Sequence, residues 1–396
     1  MDARDFFGYK HADEEPGRNS EDYEGDDDSL DPDAPPQLDE AITLDDPAVL
    51  ARIDPSDMLG RVRELPRQLA QARRVAGAVE LPERFADVDA VLVLAMGGSA
   101  IGAELVSGIA GSRLRVPLVV HRDYELPSWA GKRTLVVAAS HSGETAETLA
   151  AVAAARRIGT PLAVITTGGR LGQSASVAGE PLFLYRAPGQ PRAAVGFGVG
   201  LTHELLVRAG LLTDPDPFGP AVEAVESLLE RMGPQVETDA NPAKQLAWQL
   251  LGRVAVIYGA GVMAPVAHRW KTQINENAKA WASWEPMPEA NHNAIEGSYN
   301  PRDLADAVAV VEVRDPEEPP AIAERYRVVA ELLGERATSR TTVWAEGSSP
   351  LARAMTAVTY GDLVSVYLAI LYQTDPTPVT LLSMLKERLA RATSSD

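Results

Sequence analysis

The apolar positions of the chain fall into short unbroken runs that alternate with helical patterns. "AVLVLAMGGSAIGAELV", from Ala90, reads as a buried strand, a glycine-rich turn and a helix. "PLVVHRD" is a short strand, and "TLVVAASHSGETAETLAAV", from Thr134, is again strand, turn and helix. "PLAVITTGG" and "PLFLYRA" give two further strands, followed by the apolar helical run "RAAVGFGVGLTHELLVRAG". Strands alternating with helices predict a parallel sheet covered on both faces. Upstream, "AITLDDPAVLARIDPSDMLGRVRELPRQLAQARRVAG" predicts one or two helices, and the Pro- and acid-containing "LLTDPDPFGP" closes this half.

The second half repeats the plan loosely. "RVAVIYGAGVMAPVAHRWK" resembles the run from Ala90, and aligning the turns pairs Gly97 with Gly259, Gly98 with Ala260 and Ser99 with Gly261. "AVAVVEVRDPEEPPAIAERY" then corresponds to the stretch from Thr134, with Arg, Asp, Pro and Glu in its turn instead of hydroxyls. The pattern predicts a duplicated α/β unit, with an anion pocket kept only in the first copy.

Composition adjusts this picture at one end. The 396 residues carry a formal charge of −19, but residues 1–40 hold 15 Asp/Glu against 3 Lys/Arg, which is −12 and leaves about −7 for the rest. Such an acidic, Pro-containing stretch buries too little apolar surface to fold and is expected to be a disordered tail. No basic stripe of the kind that binds nucleic acid is present. No apolar run reaches the roughly 18 residues of a membrane span, and no secretory signal pattern stands at the N-terminus. There is no cysteine, which excludes disulfides, thiolate metal sites and a cysteine nucleophile. Together these point to the cytoplasm, with no nucleic-acid or membrane partner.

The turn "SHSGET" at 140–145 carries more than a helix cap needs. A helix N-terminus offers unpaired N–H groups and the positive end of a dipole, so it is a ready anion site. One cap requires one hydroxyl. Here Ser140, Ser142, Thr145 and Thr148 cluster with Gly143. In open parallel sheets the ligand lies beyond the carboxyl ends of the strands, where strand order reverses. "GGS" at 97–99 and "SHSGET" are therefore expected to converge on one phosphate, through Gly97, Gly98, Ser99, Ser140, Ser142 and Thr145. No Walker-type lysine motif occurs, and "GGSAIG" misses the dinucleotide spacing, so a small phosphorylated ligand is favoured over a nucleotide.

These motifs resemble a known family. "MGGSAIGAEL" and "SHSGETAETL" resemble the phosphate loops of the sugar isomerase (SIS) domain. "QINENAKAWASWEPMPEANHN", "QPRAAVG" and "TPVTLLSMLKERLA" resemble segments of the bifunctional phosphoglucose/phosphomannose isomerases, over roughly residues 45–396. The resemblance implies an α/β protein with two flavodoxin-like parallel-sheet SIS domains, at 41–212 and 235–396, behind the acidic tail. It implies interconversion of glucose 6-phosphate, mannose 6-phosphate or both with fructose 6-phosphate, by proton transfer through an enediol. It also implies no metal or cofactor, and a homodimer in which His292 reaches the neighbouring subunit's site.

An aldose–ketose isomerase needs a base to relay a proton between C1 and C2, help in ring opening, and positive charge for the developing oxyanion. By the resemblance, Glu276 in "INENAK" is the base, His292 in "NHN" and Lys386 in "SMLKERLA" assist ring opening, and Arg192 in "QPRAAVG" steadies the enediolate. Glu289 is expected to orient His292, and either Thr377 or Thr380 to help accept both C2 epimers. His268, at helical spacing in "MAPVAHRWK", reads as a packing residue. No HExxH or His-x-His motif occurs, which disfavours a zinc enzyme. Two alternatives lie outside this reading. A non-catalytic phosphosugar sensor would need the serine loops without Glu276, His292 or Lys386. An amidotransferase's isomerase half would bring a glutaminase domain and its cysteine, which this sequence lacks.

Overall fold

Each apolar run forms its strand where the pattern predicts. In a computed structural model that describes residues 42–213, 215, 217–301, 307–334 and 339–393, the chain begins with α1 (Pro47–Ile53), α2 (Met58–Arg63) and α3 (Leu65–Gly77). The first sheet and its helices follow as β1 (Ala90–Ala95), α4 (Gly97–Ala110), β2 (Leu118–His121), β3 (Thr134–Ser140), α5 (Ala146–Ile158), β4 (Leu162–Thr166), α6 (Gly169–Ala178), β5 (Leu182–Leu184) and α7 (Val195–Arg208). α8 (Phe218–Met232) and α9 (Pro242–Leu250) lead to the second unit. It comprises β6 (Val254–Ala260), α10 (Met263–Gln273), β7 (Ala282–Met287), β8 (Val308–Arg314), α11 (Pro320–Leu333), β9 (Ser339–Trp344), α12 (Pro350–Leu371) and α13 (Thr380–Thr393). The expected acidic tail, 1–40, lies outside the described residues.

Both sheets are parallel. The first has the order β2-β1-β3-β4-β5 and the second β7-β6-β8-β9. The first is the flavodoxin-like order, and the second reproduces it without the fifth strand. Registers match too: Val91 stands between Leu118 and Leu135, and Ala255 between Ala282 and Ala309. β1, β3 and β4 are buried along their whole length, as strands covered on both faces must be.

The duplication holds, but the turn alignment shifts by two residues. Gly97, with φ 47°, is matched in conformation by Gly261, with φ 53°, each just past the strand end. Gly259 instead lies inside β6, where a Cβ would meet the Met263 carbonyl oxygen at 2.2 Å. Glycine identity misled the alignment because a close approach and a left-handed turn both select glycine. On the corrected register Ser99 is matched by Met263, which is fully buried. The N-terminal stretch also breaks into three helices instead of one or two. The Asp54 carboxylate accepts the Met58 and Leu59 N–H groups at 2.8 and 2.9 Å and interrupts the run.

The largest apolar cluster draws on both sheets and on α3, α4, α7, α8, α9, α10 and α12. α12 is apolar all round and buried along most of its length. Among the described residues it is the one helix long and apolar enough to cross a membrane, and it lies inside the protein. Within it stand the buried polar residues Thr356, Thr359, Asp362 and Ser365. Polar groups so placed need partners, and two of them lead to the site.

Candidate active site

The two serine-bearing turns lie where the first sheet reverses its strand order, after β1 and after β3. The Ser99 hydroxyl accepts the His141 N–H at 3.0 Å and joins one turn to the other. Ser140 Oγ lies 2.9 Å from Thr145 Oγ1 and accepts the Gly143 N–H at 3.1 Å. Ser142 accepts the Glu144 N–H at 3.2 Å. Thr145 stands at the N-cap of α5, yet its side chain does not cap the helix. Gly143 has φ 69°, and a Cβ there would lie 2.0 Å from the Gly168 oxygen, so the turn requires glycine. Thr148, the fourth hydroxyl, is buried one turn into α5 and makes no hydrogen bond among the described residues. The His141 imidazole meets Tyr185 Oη at 3.0 Å, and burial lowers its pKa, opposed by a hydrogen bond to the Gly189 backbone.

Gly98 connects this loop to the charged centre. A Cβ at Gly98 would lie 2.9 Å from the Arg192 backbone nitrogen, so only glycine lets α4 approach that segment. Arg192 is 2% exposed. Its Nε donates to Asn277 Oδ1 at 2.7 Å and its Nη1 to Glu276 Oε2 at 3.2 Å. Its Nη2 donates to the carbonyls of Pro376 and Thr377 at 2.7 and 2.9 Å. Burial pulls its pKa down, and Glu276 opposes that shift. One guanidinium thus joins the 3-10 turn before α7, the turn after α10 and the segment before α13.

Glu276 sits in a π-helical turn, Ile274–Ala278, that ends α10. Such turns occur frequently at functional sites. Asn277 is fixed on its other side by donating to Ser365 Oγ of α12 at 2.9 Å. Glu276 lines a cavity of about 470 Å³ with Lys271, Thr272, Asn275, Lys279 and residues 379–382. Behind Arg192, Arg269 donates to the Arg192 carbonyl at 2.9 Å and to both oxygens of Asp362 at 3.0 and 2.7 Å. Burial raises the Asp362 pKa, opposed by Arg269.

The residues expected from the sequence fall into two groups. Arg192 and Glu276 meet, Gly98 approaches the Arg192 backbone, and Ser99 is tied to the next turn through the His141 N–H; there Ser140 and Thr145 meet, while Ser142 accepts only the Glu144 N–H. His292 and Lys386 are exposed, and within one chain they make no hydrogen bond or ion pair among the described residues. Glu289 accepts the Asn293 side-chain amide at 3.0 Å, so its carboxylate is engaged there and not with His292. Thr377 Oγ1 is buried beside the Arg192 contacts and makes no hydrogen bond among the described residues, while Thr380 lines the Glu276 cavity. His268 stacks on Trp284, with 4.8 Å between ring centroids, and its Nδ1 lies 2.7 Å from Glu104 Oε2. Burial, with Arg122 and Lys271 nearby, holds its pKa down to about 4.

Sequence reasoning missed Asn277, Arg269, Asp362 and Lys279. A signal existed for two of them: Asp362 is the one acid in the apolar run 350–371, and Asn277 belongs to the polar cluster around Glu276.

Two flavodoxin-like sheets with serine-bearing turns at the strand-order reversal beside an arginine–carboxylate pair define a phosphosugar-processing α/β protein of the sugar isomerase type. The family described as the bacterial phospho-glucose isomerase C-terminal SIS domain matches residues 239–389. The bifunctional phosphoglucose/phosphomannose isomerase of Caldicellulosiruptor bescii is 35% identical over 335 residues, covering 84% of this chain and 99% of that one. The enzyme of the same name from Aquifex aeolicus is 30% identical, covering 76% and 90%. In fold, the C-terminal domain of glucosamine-fructose-6-phosphate aminotransferase from Francisella tularensis superposes with a TM-score of 0.65 at 16% identity, covering 81% and 98%. The chain belongs to the bifunctional phosphoglucose/phosphomannose isomerase family, and its reaction class is aldose–ketose isomerisation.

Proposed function

We propose that this chain interconverts both glucose 6-phosphate and mannose 6-phosphate with fructose 6-phosphate, and that Glu276 relays the proton. The observation that carries this reading is the Arg192–Glu276 pair, 3.2 Å apart, held beside the serine loop through Gly98. Ser99, Ser140, Ser142, Thr145 and the backbone at Gly97 and Gly98 bind the substrate phosphate. Glu276 takes the proton from C2 of the open-chain aldose. The electron pair forms the C1–C2 double bond, and charge passes to O1, where Arg192 stabilises it. A proton moves from O2 to O1, and Glu276 returns its proton to C1, which yields the ketose. His292 and Lys386 assist ring opening.

Both of those residues are exposed within one chain, so we assign them to a site completed by a second copy. α13 supports this. It carries Lys386 on a helix whose Leu381 is 80% exposed and whose Leu382, Met384 and Leu385 are also exposed. Leu381 and Leu382 line the Glu276 cavity, so a partner seated on that face would reach the site. We further read residues 41–212 and 235–396 as the two SIS domains of a cytoplasmic homodimer.

The test is an assay of the purified protein with each aldose phosphate in the presence of EDTA. Fructose 6-phosphate should form from both. Binding without conversion would make the protein a phosphosugar sensor. Mixing Glu276→Gln with His292→Ala subunits should restore activity if His292 acts across the interface. No recovery after demonstrated subunit exchange would remove that role.

A further inference from the structure

Lys279 is the third residue after Glu276, and although the residue is exposed its ammonium is surrounded by main-chain carbonyls. Its backbone is left-handed, φ 54°, a conformation disfavoured for a residue with a Cβ. That conformation turns the chain out of the π-helical turn and aims the side chain back along it. Lys279 Nζ donates to the carbonyls of Glu276 and Asn277 at 2.9 and 3.2 Å, and to those of Asp375 and Pro376 at 2.8 and 3.0 Å. Arg192 Nη2 donates to the same Pro376 carbonyl. Two cations therefore grip one turn from two sides. With four carbonyls around it, the ammonium has no donor left for a substrate, so any role runs through Glu276.

We propose that Lys279 is a positioning residue that locks the Glu276 turn to the 375–377 segment, fixing the carboxylate against the Arg192 guanidinium. The proposal rests on the reading of Glu276 as the proton relay. A proton transferred between neighbouring carbons demands a base held within a fraction of an ångström, and a misplacement of about 1 Å costs on the order of 10² in rate. The charged groups facing Lys279 are Arg192 from the 3-10 turn before α7, Asp375 from the segment before α13 and Glu276 from its own turn. From α12, Asp362 faces Arg269 instead. Burial and the like charge of Arg192 bring the Lys279 pKa down to about 8, opposed by Asp375 and Glu276. An ammonium has three N–H donors for these carbonyls. The neutral amine has two, and its lone pair then faces an oxygen. Loss of that proton at alkaline pH therefore loosens the lock, and turnover should fall with it.

Three proteins test this: wild type, Lys279→Met and Lys279→Arg. The Met variant should lose on the order of 10² in kcat, keep its inhibition constant for inorganic phosphate, and exchange the amides of 373–380 faster. The Arg variant, which stays protonated, should keep most of its activity, and its alkaline limb should move above the wild-type position. A Met variant with wild-type kcat, unchanged exchange over 373–380, or an alkaline limb unmoved in the Arg variant would overturn the proposal. Should the Met variant fail to fold, the Arg profile decides alone. Glu276→Gln, assayed alongside, separates the two ideas: if it stays active the base assignment fails, while the exchange comparison still reports on the Lys279 lock.

Discussion

Arg192 Nη1 and Glu276 Oε2 lie 3.2 Å apart, although 84 residues separate them in the chain. The guanidinium is nearly sealed from solvent, and the carboxylate keeps 29% of its side chain exposed. The pair thus has a buried anchor and an accessible working end. Arg192 meets Asn277, Glu276, Pro376 and Thr377 with three separate nitrogens, a fork no lysine reproduces. Arg192→Lys should lower kcat by about 10²–10³, the usual cost of losing an oxyanion donor. Steady-state kinetics would show it, and a variant within a few-fold of wild type would exclude Arg192 from the chemical step.

The serine loop should act on binding. Ser140 shapes the turn by accepting the Gly143 N–H and meeting Thr145. Losing one such hydroxyl costs about 1–2 kcal/mol, or roughly 5- to 30-fold in KM, with kcat nearly unchanged. A Ser140→Ala enzyme with unchanged KM would show that the phosphate lies elsewhere.

Arg269 and Asp362 form a buried ion pair behind the site, 1% and 4% exposed. Such a pair adds little net stability, but breaking it strands a charge. Asp362→Asn leaves Arg269 without its counter-ion and should cost about 3–5 kcal/mol, read from urea denaturation. Because Arg269 also holds the Arg192 carbonyl, kcat should fall in the same variant. Wild-type stability would mean that Arg269 finds another partner.

His268 sets an acid limb. Its pKa is about 4 in the fold against an ordinary 6.5. Between those values the unfolded chain takes up a proton that the folded chain refuses, so its contribution to stability is lost as pH falls from 6.5 towards 4. His268→Gln does not titrate and should show a shallower fall in urea midpoint across that window. Parallel curves for the two proteins would contradict this.

The strands, the duplication and the serine loop were legible because each is local. An apolar run reports burial, and hydroxyls at two strand–helix turns mark turns that meet, as Ser99 does with the His141 N–H. That Arg192 and Glu276 would meet was implied by resemblance alone, since nothing local tells a buried arginine from a surface one. Asp362 could have been suspected as the lone acid of an apolar helix. Lys279 could not: its partners are main-chain carbonyls, two of them 96 and 97 residues away in the chain, and carbonyls leave no trace in a sequence. The glycine alignment failed for a related reason, because glycine marks both a left-handed turn and a close approach.

The proposed proton relay depends on Glu276, and the most direct measurement compares Glu276→Gln with wild type in turnover and in substrate binding. The amide is nearly isosteric and can still accept from Arg192, so binding should change by no more than a few-fold. Turnover of glucose 6-phosphate and mannose 6-phosphate should fall together by a factor on the order of 10³, because both pass through the same proton relay. Near-wild-type turnover with either substrate would contradict the assignment of Glu276 as the base.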